Sequence, residues 1–305
     1  MATDMGVEMV EVGPRDGLQN EAAIVSTADK AELIARAIAY GARRIEVTSF
    51  VNPRRVPQLA DAEELVALLP DRADVTYIGL VLNQRGAERA LATGRIDELG
   101  AVCVTSDTFG MNNQRQTSDE SLAAAMEIVA LAKAAGRVGQ ITIATAFGCP
   151  FEGEVAIDRV VEMAKRAAEA NPREIALADT IGVGVPSQVA EMVGRVREAV
   201  GGLPVRVHFH NTRGSGLANV WAAVAVGAAT VDASLGGLGG CPFAPGAAGN
   251  VASEDVVYML ERGGIATGLH LPAIVDAAGW FTGVMGRPLP AMVSKAPPFP
   301  PVPQN

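Results

Sequence analysis

The most informative strand of this 305-residue chain reads Pro204-Val205-Arg206-Val207-His208-Phe209-His210-Asn211. Side chains alternate along a strand, so His208 and His210 point to the same face, with Arg206 beneath them. The residues between them are apolar and take the other face. Two imidazoles on one face, near the end of a strand, can hold a divalent cation. Two ordinary polar residues at a strand end are the alternative interpretation.

The rest of the chain alternates between two patterns. Apolar, often β-branched runs predict strands near residues 7–12, 43–50, 75–81, 99–106, 140–147, 174–179, 204–210 and 230–235. Stretches with helical spacing predict helices at 28–40, 58–69, 84–93, 118–135, 155–170, 187–199, 215–226 and 252–262. Eight strand–helix pairs are the number in a closed (β/α)₈ barrel, the TIM barrel. A doubly wound open sheet, which rarely needs eight such even units, is the alternative α/β fold.

One domain accounts for nearly the whole chain. Residues 269–285 predict an extra C-terminal helix on the outside of the barrel. No linker separates a second domain, so we expect residues 1–290 to form a single TIM-barrel catalytic domain. Residues 291–305 are a proline-rich tail, which we expect to be extended or disordered.

The composition excludes several classes of partner. A net charge of −9 argues against nucleic acid, because phosphate-binding surfaces need clustered Lys and Arg. No apolar run is long enough to span a bilayer, and residues 1–5 carry no export signal. Cys103, Cys149 and Cys241 are too widely spaced for a disulfide or zinc framework. We therefore expect a cytoplasmic protein with no membrane partner.

The unusual residues stand where a TIM barrel places its active site, at the carboxyl ends of the strands. Six predicted strands carry them: Arg15 and Asp16 after the first, Arg44, Glu46 and Thr48 on one face of the second, Thr105 to Asp107 at the end of the fourth, Asp179 and Thr180 at the end of the sixth, His208 and His210 in the seventh, and Cys241 after the eighth. We expect Arg44, Glu46 and Thr48 to face into the upper layer of the barrel. A single polar strand end is explained by solvation. Six at one mouth predict a functional site.

The predicted site contains ligands for a metal ion. Asp16 adds a carboxylate to His208 and His210, and Asn250 can add an amide oxygen. Mixed nitrogen and oxygen ligands favour Mn²⁺, Mg²⁺, Co²⁺ or Zn²⁺ with open positions for substrate, rather than a closed structural zinc.

Cys241 lies between glycines and a proline, in a loop. A free cysteine is most often a small buried side chain. Little apolar sequence surrounds Cys241, and a thiol beside a metal and Arg15 can do acid–base chemistry. We assign the structural role to Cys103 and Cys149, which lie in or just past apolar strands.

Five segments then make the chain recognisable: Val10–Glu21, Thr48–Val51, Gly148–Gly153, Asp179–Gly182 and Gly239–Gly246. They closely resemble 3-hydroxy-3-methylglutaryl-CoA (HMG-CoA) lyases, members of the metal-dependent TIM-barrel lyase and carboxylic-acid synthase superfamily. The resemblance runs in register from about residue 7 to residue 285.

The resemblance implies a role for each site residue. The implied metal ligands are Asp16, His208, His210 and Asn250. Arg15 and Cys241 are implied to be catalytic, Glu46 and Asp179 to support them, and Gln19 and Thr180 to contact substrate together with Arg15. We expect Mg²⁺ or Mn²⁺ as the cofactor, a CoA thioester as the substrate and a homodimer as the assembly.

The implied reaction is a retro-Claisen cleavage between C2 and C3 of a 3-hydroxyacyl-CoA. The tertiary hydroxyl loses its proton, and the thioester fragment leaves as an enolate. Arg15 can stabilise the charge on the thioester oxygen. Cys241 can protonate the enolate carbon, and either Asp16 or His208 can be the base.

Two loops depart from the family pattern. Where family members commonly read His-x-His-Asp-Thr-Tyr, this chain has Asn211 for the aspartate and Arg213 for the tyrosine. In the loop after the fourth strand, Asn112 replaces a lysine. These changes predict a better kcat/KM on a relative of HMG-CoA with a different C3 group. Neutral drift among ordinary HMG-CoA lyases is the alternative.

Two other functions are consistent with the fold. One is a synthase that condenses acetyl-CoA with a 2-oxo acid, as isopropylmalate and citramalate synthases do; those generally read His-x-His-Asn-Asp and lack the cysteine loop. Asn211 favours this synthase, and Cys241 favours the lyase more strongly. The other is a non-catalytic barrel, which the loss of a metal ligand or of Cys241 would indicate, and none is lost.

Overall fold

Eight parallel strands close into a barrel in the computed structural model, which describes residues 6–240 and 248–301. The strands, β1 to β8 in chain order, are Glu8–Glu11, Arg44–Ser49, Thr76–Val81, Glu98–Val104, Val138–Ala144, Ile175–Asp179, Val205–Phe209 and Thr230–Ala233. Each strand pairs with its neighbour in sequence, and β1 pairs with β8 to close the barrel. The predicted TIM barrel is therefore confirmed.

Helices surround this barrel. They are α1 to α10 in chain order: Thr27–Ala39, Ala62–Leu68, Gln84–Ala92, Asp107–Asn113, Ser118–Ala134, Ile157–Glu169, Pro186–Ala199, Gly216–Ala225, Ser253–Arg262 and Leu271–Met285. All nine predicted helices are present, and α4 is an addition that the sequence did not predict. Its seven residues include a glycine and two asparagines, which are poor helix formers. No described helix is long and apolar enough to cross a membrane.

The barrel interior holds a layer of buried ion pairs at its amino end. Arg44, on β2, donates to Glu98 at 2.6 Å and to Glu174 at 2.7 Å. Arg206, on β7, lies 3.5 Å from the same Glu174 carboxylate. We expected Arg44 to share the upper layer with Glu46, and this was wrong, because the stagger of the strands sets Arg44 level with Glu98 and Glu174 in the lower layer.

The segment after α10 returns to the barrel. The amide of Ala291 donates to the Gly236 carbonyl at 3.0 Å. The Asp255 carboxylate accepts hydrogen bonds from the amides of Met292 and Val293. Residues 291–293, the beginning of the predicted tail, therefore pack against the turn that follows β8 and against the start of α9.

Candidate metal centre and active site

A wide helical turn after β1, Gly13–Gly17, brings Arg15 and Asp16 into the mouth of the barrel. The amides of Asp16 and Gly17 both donate to the Val12 carbonyl, at 2.8 and 3.1 Å. These hydrogen bonds close the wide turn. Its two charged side chains, Arg15 and Asp16, therefore lie next to each other. Arg15 and Asp16 form an ion pair.

The two imidazoles of β7 face the same carboxylate. Nε2 of His208 lies 3.8 Å from Oδ2 of Asp16, and Nε2 of His210 lies 3.6 Å from it. One potential ligand atom from each of these three residues lies within 4.8 Å of the others. Two imidazole nitrogens and a carboxylate at this spacing fit a divalent cation.

Asn250 completes the group. Its amide nitrogen donates to Oδ2 of Asp16 at 2.8 Å and to the Leu238 carbonyl at 3.0 Å. The backbone places it there, because the amide of Asn211 donates to the Gly249 carbonyl at 2.6 Å. The structure thus brings together the four residues that the sequence analysis predicted as metal ligands.

The charge on Asp16 is stabilised by its neighbours. Burial alone would raise the pKa of the Asp16 carboxyl, but Arg15 and the two histidines hold this pKa well below its usual range. Asp16 is therefore a carboxylate at neutral pH. An ionised carboxylate is the form that binds a cation.

Glu46 and Gln19 lie on the Arg15 side of the site. Nη2 of Arg15 donates to the buried Glu46 carboxylate at 2.8 Å, so Arg15 is held between two acids. The two contacts together fix the position of the guanidinium. Gln19 follows the same turn and is partly exposed.

Asp179 organises the loop that carries Thr180. Its two carboxylate oxygens accept hydrogen bonds from the amides of Val183 and Gly184, each at 2.9 Å. The Thr180 hydroxyl accepts a hydrogen bond from the amide of Thr145 at 2.8 Å. Thr145 has a φ of +56°, which a β-branched residue rarely adopts. This conformation aims its N–H at Thr180.

The structure describes two of the three cysteines, Cys103 and Cys149. Cys241 lies outside the described residues. Cys103 is buried in β4, and burial raises the pKa of its thiol to about 12, which fits a structural role. Cys149 is buried as well, and its sulfur lies 2.9 Å from the Ser106 hydroxyl.

The sequence analysis missed Glu11, a buried carboxylate that holds two loops at once. One of its oxygens accepts hydrogen bonds from the amides of Gly13 and Leu235, at 2.7 and 2.9 Å. The other accepts from the hydroxyls of Tyr40 and Ser253, both at 2.6 Å. Glu11 therefore joins the turn that carries Arg15 to the turn after β8. An acidic residue inside an apolar strand was the available signal.

Glu254, at the start of α9, is a second buried carboxyl that the sequence analysis missed. It accepts a hydrogen bond from the amide of Gly236 at 3.0 Å. Burial raises the pKa of Glu254 to about 7. The glutamate therefore has its neutral form stabilised by the fold.

A closed barrel whose mouth holds two histidines, a carboxylate and an arginine has the architecture of a metal-dependent TIM-barrel enzyme. The chain belongs to the HMGL-like family, whose sequence model matches residues 6–280. It is a carbon–carbon lyase of that family.

Three relatives document the similarity. The chain is 42% identical to (R)-citramalyl-CoA lyase of Chloroflexus aurantiacus, over 96% of this chain and 95% of that one. It is 40% identical to a hydroxymethylglutaryl-CoA lyase of Bacillus subtilis, over 93% and 95% of the two chains. An HMG-CoA lyase from Acinetobacter baumannii, solved with coenzyme A and 3-methylmalate, superposes with a TM-score of 0.92 at 40% identity and covers 99% of this chain and 100% of that one. All three are lyases, so the condensing-synthase alternative is not favoured.

Removing the charge of Asp16 tests the metal centre. Asp16→Asn keeps the shape of the side chain but loses the anionic ligand, so we expect Mn²⁺ affinity to fall by more than about 100-fold. This loss is larger than the one caused by removing a residue that only hydrogen-bonds to a ligand, which is about 10–100-fold. Isothermal titration calorimetry with Mn²⁺ measures it. His270→Ala, which removes the exposed histidine before α10, is the control and should bind Mn²⁺ as the parent does. Unchanged binding in both Asp16→Asn and His208→Ala would show that the ligand assignment is wrong.

Glu254 should make stability depend on pH. Its folded pKa of about 7 lies above the ordinary 4.5, so its contribution to stability is full below about pH 4.5 and is lost as the pH rises through 7. Glu254→Gln is always neutral and should gain about 3 kcal/mol of unfolding free energy at about pH 8, but less than about 1 kcal/mol at about pH 5. Urea unfolding of both proteins at the two pH values measures the difference. An equal effect at both would contradict the raised pKa.

Proposed function

We propose that this lyase cleaves HMG-CoA, or a closely related 3-hydroxyacyl-CoA, to acetyl-CoA and a keto acid such as acetoacetate. The observation that carries the proposal is the convergence of Asp16, His208 and His210 beside Arg15 in the mouth of the barrel. The A. baumannii relative was solved with coenzyme A, which supports a CoA thioester as the substrate of this chain.

A divalent cation, Mg²⁺ or Mn²⁺, fits this donor set. Asp16, His208 and His210 would hold it, because one ligand atom of each lies within 4.8 Å of the others. Asn250, whose amide nitrogen contacts Asp16, would add its amide oxygen as the fourth ligand. When bound, the cation supplies Lewis acidity that favours loss of the hydroxyl proton and orients the substrate.

The side chains of the protein then account for the movement of electrons and protons. As the C2–C3 bond breaks, C3 becomes a ketone carbon. The electron pair of that bond passes to C2 and is delocalised onto the thioester oxygen. Arg15, held by Glu46 and Asp16, would stabilise the charge on that oxygen. Asp16 and His208 are the two candidates to accept the hydroxyl proton, and Cys241 is the candidate to protonate C2.

A second candidate substrate is citramalyl-CoA, because the C. aurantiacus relative acts on its (R) form. In citramalyl-CoA the free carboxylate is bonded directly to the hydroxyl-bearing carbon, whereas in HMG-CoA a methylene separates them. The two substrates would therefore place the carboxylate at different distances from the cation. A cationic group at the mouth can favour one of these placements.

Arg213 is the mouth cation that distinguishes this chain from the usual family pattern. Its Nη1 donates to the carbonyls of Ile181 and Gly182, at 2.8 and 3.1 Å, in the loop that begins with Thr180. Asn211, the neighbouring departure, accepts a hydrogen bond from the amide of Gly216 at 3.0 Å and so holds the start of α8. Of the residues that differ from the family pattern, Arg213 is thus the one that adds a positive charge, and it does so beside the loop of Thr180, a predicted substrate contact.

Steady-state kinetics with HMG-CoA, (R)-citramalyl-CoA and longer-branched analogues tests the function and the preference together. We expect release of acetyl-CoA in the presence of Mn²⁺, with the highest kcat/KM on an analogue other than HMG-CoA. No cleavage of any analogue would contradict the function. A clear preference for HMG-CoA would contradict the altered specificity alone.

Arg213→Tyr, which restores the usual family residue, is the matched variant. It should shift the ratio of kcat/KM toward HMG-CoA by at least about tenfold, since a charged hydrogen bond contributes about 1.5–3 kcal/mol. An unchanged ratio would exclude Arg213 as the cause of the preference.

Cys241→Ser tests the proton donor. The hydroxyl is a much weaker acid than the thiol, so we expect turnover to fall by about 10²–10⁴-fold while Mn²⁺ affinity is kept. Alkylation of the native enzyme should inactivate it, and bound substrate should protect. Cys103→Ser is the control for loss of a buried thiol. Modification of Cys241 without loss of activity would assign it a structural role.

A further inference from the structure

A buried contact behind the metal centre has no part in the steps described so far. Nδ1 of His208 lies 3.0 Å from Oδ2 of Asp232, and both side chains are buried. The pairing of β7 with β8 sets Arg206 beside Thr230, so two residues further along the strands His208 and Asp232 stand side by side. The contact is therefore built into the register of the barrel.

The chemistry of this contact determines which ring nitrogen carries a proton. A carboxylate only accepts hydrogen bonds, and a neutral imidazole has one N–H and one lone pair. Next to Asp232 the proton must be on Nδ1, so the lone pair is on Nε2. Nε2 is the atom that faces Asp16, 3.8 Å from its Oδ2.

Arg206 fixes the other side of Asp232. Its Nε donates to Oδ1 of Asp232 at 2.5 Å, and its guanidinium also lies 3.5 Å from the Glu174 carboxylate. Because a guanidinium has donors and no acceptor, the group at position 232 must present an acceptor to it. Arg206, the residue beneath the two histidines, therefore sets how residue 232 is oriented.

We propose that Arg206 and Asp232 are positioning residues that hold His208 in its Nδ1–H form, with the Nε2 lone pair directed at the cation site before a cation binds. Outer partners of this kind raise the basicity of a ligand and fix its ring. The inference rests on the metal-ligand role of His208 in the proposed function, and it does not depend on which acyl-CoA is cleaved.

The variant Asp232→Asn separates this role from simple packing. An amide has one acceptor and one donor end, and Arg206 can take only the acceptor. The NH₂ group would then face Nδ1 of His208, which must accept and place its proton on Nε2. The isosteric change thus turns a ligand nitrogen into an N–H group, as in a catalytic triad whose aspartate becomes asparagine.

The experiment uses the full chain without metal and labelled with ¹⁵N at histidine. At alkaline pH, where imidazole is neutral, NMR reports which nitrogen of each ring is protonated. The chain has three histidines, so His210→Gln and His270→Gln suffice for assignment. We expect the His208 proton on Nδ1 in the parent and on Nε2 in Asp232→Asn. Calorimetric Mn²⁺ affinity should fall by about 10–100-fold in the variant.

Glu98→Gln is the matched control, because it removes a buried interior carboxylate that pairs with Arg44 at the amino end of the barrel rather than with His208. Its His208 resonances and Mn²⁺ affinity should equal those of the parent. A parent protein with the His208 proton on Nε2 overturns the proposal, whether or not the variants fold. An equal loss of affinity in Glu98→Gln and Asp232→Asn also overturns it. The expected tautomers in a protein that cleaves no acyl-CoA would support the positioning role and contradict the proposed function.

Discussion

The largely buried carboxylate of Asp16, whose side chain is 15% exposed, is the group on which the rest of the site depends. Arg15, both histidines and Asn250 all contact it or lie within 4 Å of it. A buried carboxylate without such partners would be protonated, because desolvation disfavours its charge. The wide turn after β1 and the backbone hydrogen bond between residues 211 and 249 therefore both keep this carboxylate surrounded by donors.

The same requirement extends down the barrel. Charges alternate in sign through the interior, from Glu98 to Arg44, to Glu174, to Arg206 and to Asp232, which then contacts His208. Removing one member of a buried pair leaves its partner uncompensated at a cost of about 3–5 kcal/mol, so each pair is held in place. The pair of Arg206 with Asp232 is the one that contacts His208, and it links the metal ligand at the mouth to the barrel interior.

The features that depend on residues close together in the chain could be predicted from the sequence. Alternating apolar runs gave the strands, and polar strand ends gave the site, because parallel strands in a closed barrel end at one rim. The contacts of Glu11 and Asp232 could not be predicted, since Ser253 is 242 positions from Glu11 and Asp232 is 24 from His208. The layer of Arg44 depends on how the strands are staggered around the barrel, which no single strand encodes. The short α4 has weak helix propensity and is stabilised by its context.

In the proposed function, selection of the acyl group is physically separable from cleavage of the C2–C3 bond. The metal-centre residues are held by strand pairing and by interior ion pairs, whereas Arg213 lies in the loop after β7. Its hydrogen bonds are to the backbone carbonyls of Ile181 and Gly182, which every residue type provides. Replacing a tyrosine by arginine at 213 therefore needs no compensating change at Asp16, His208 or His210. A barrel of this kind can change the carboxylate position it prefers while the group that promotes cleavage stays as it is.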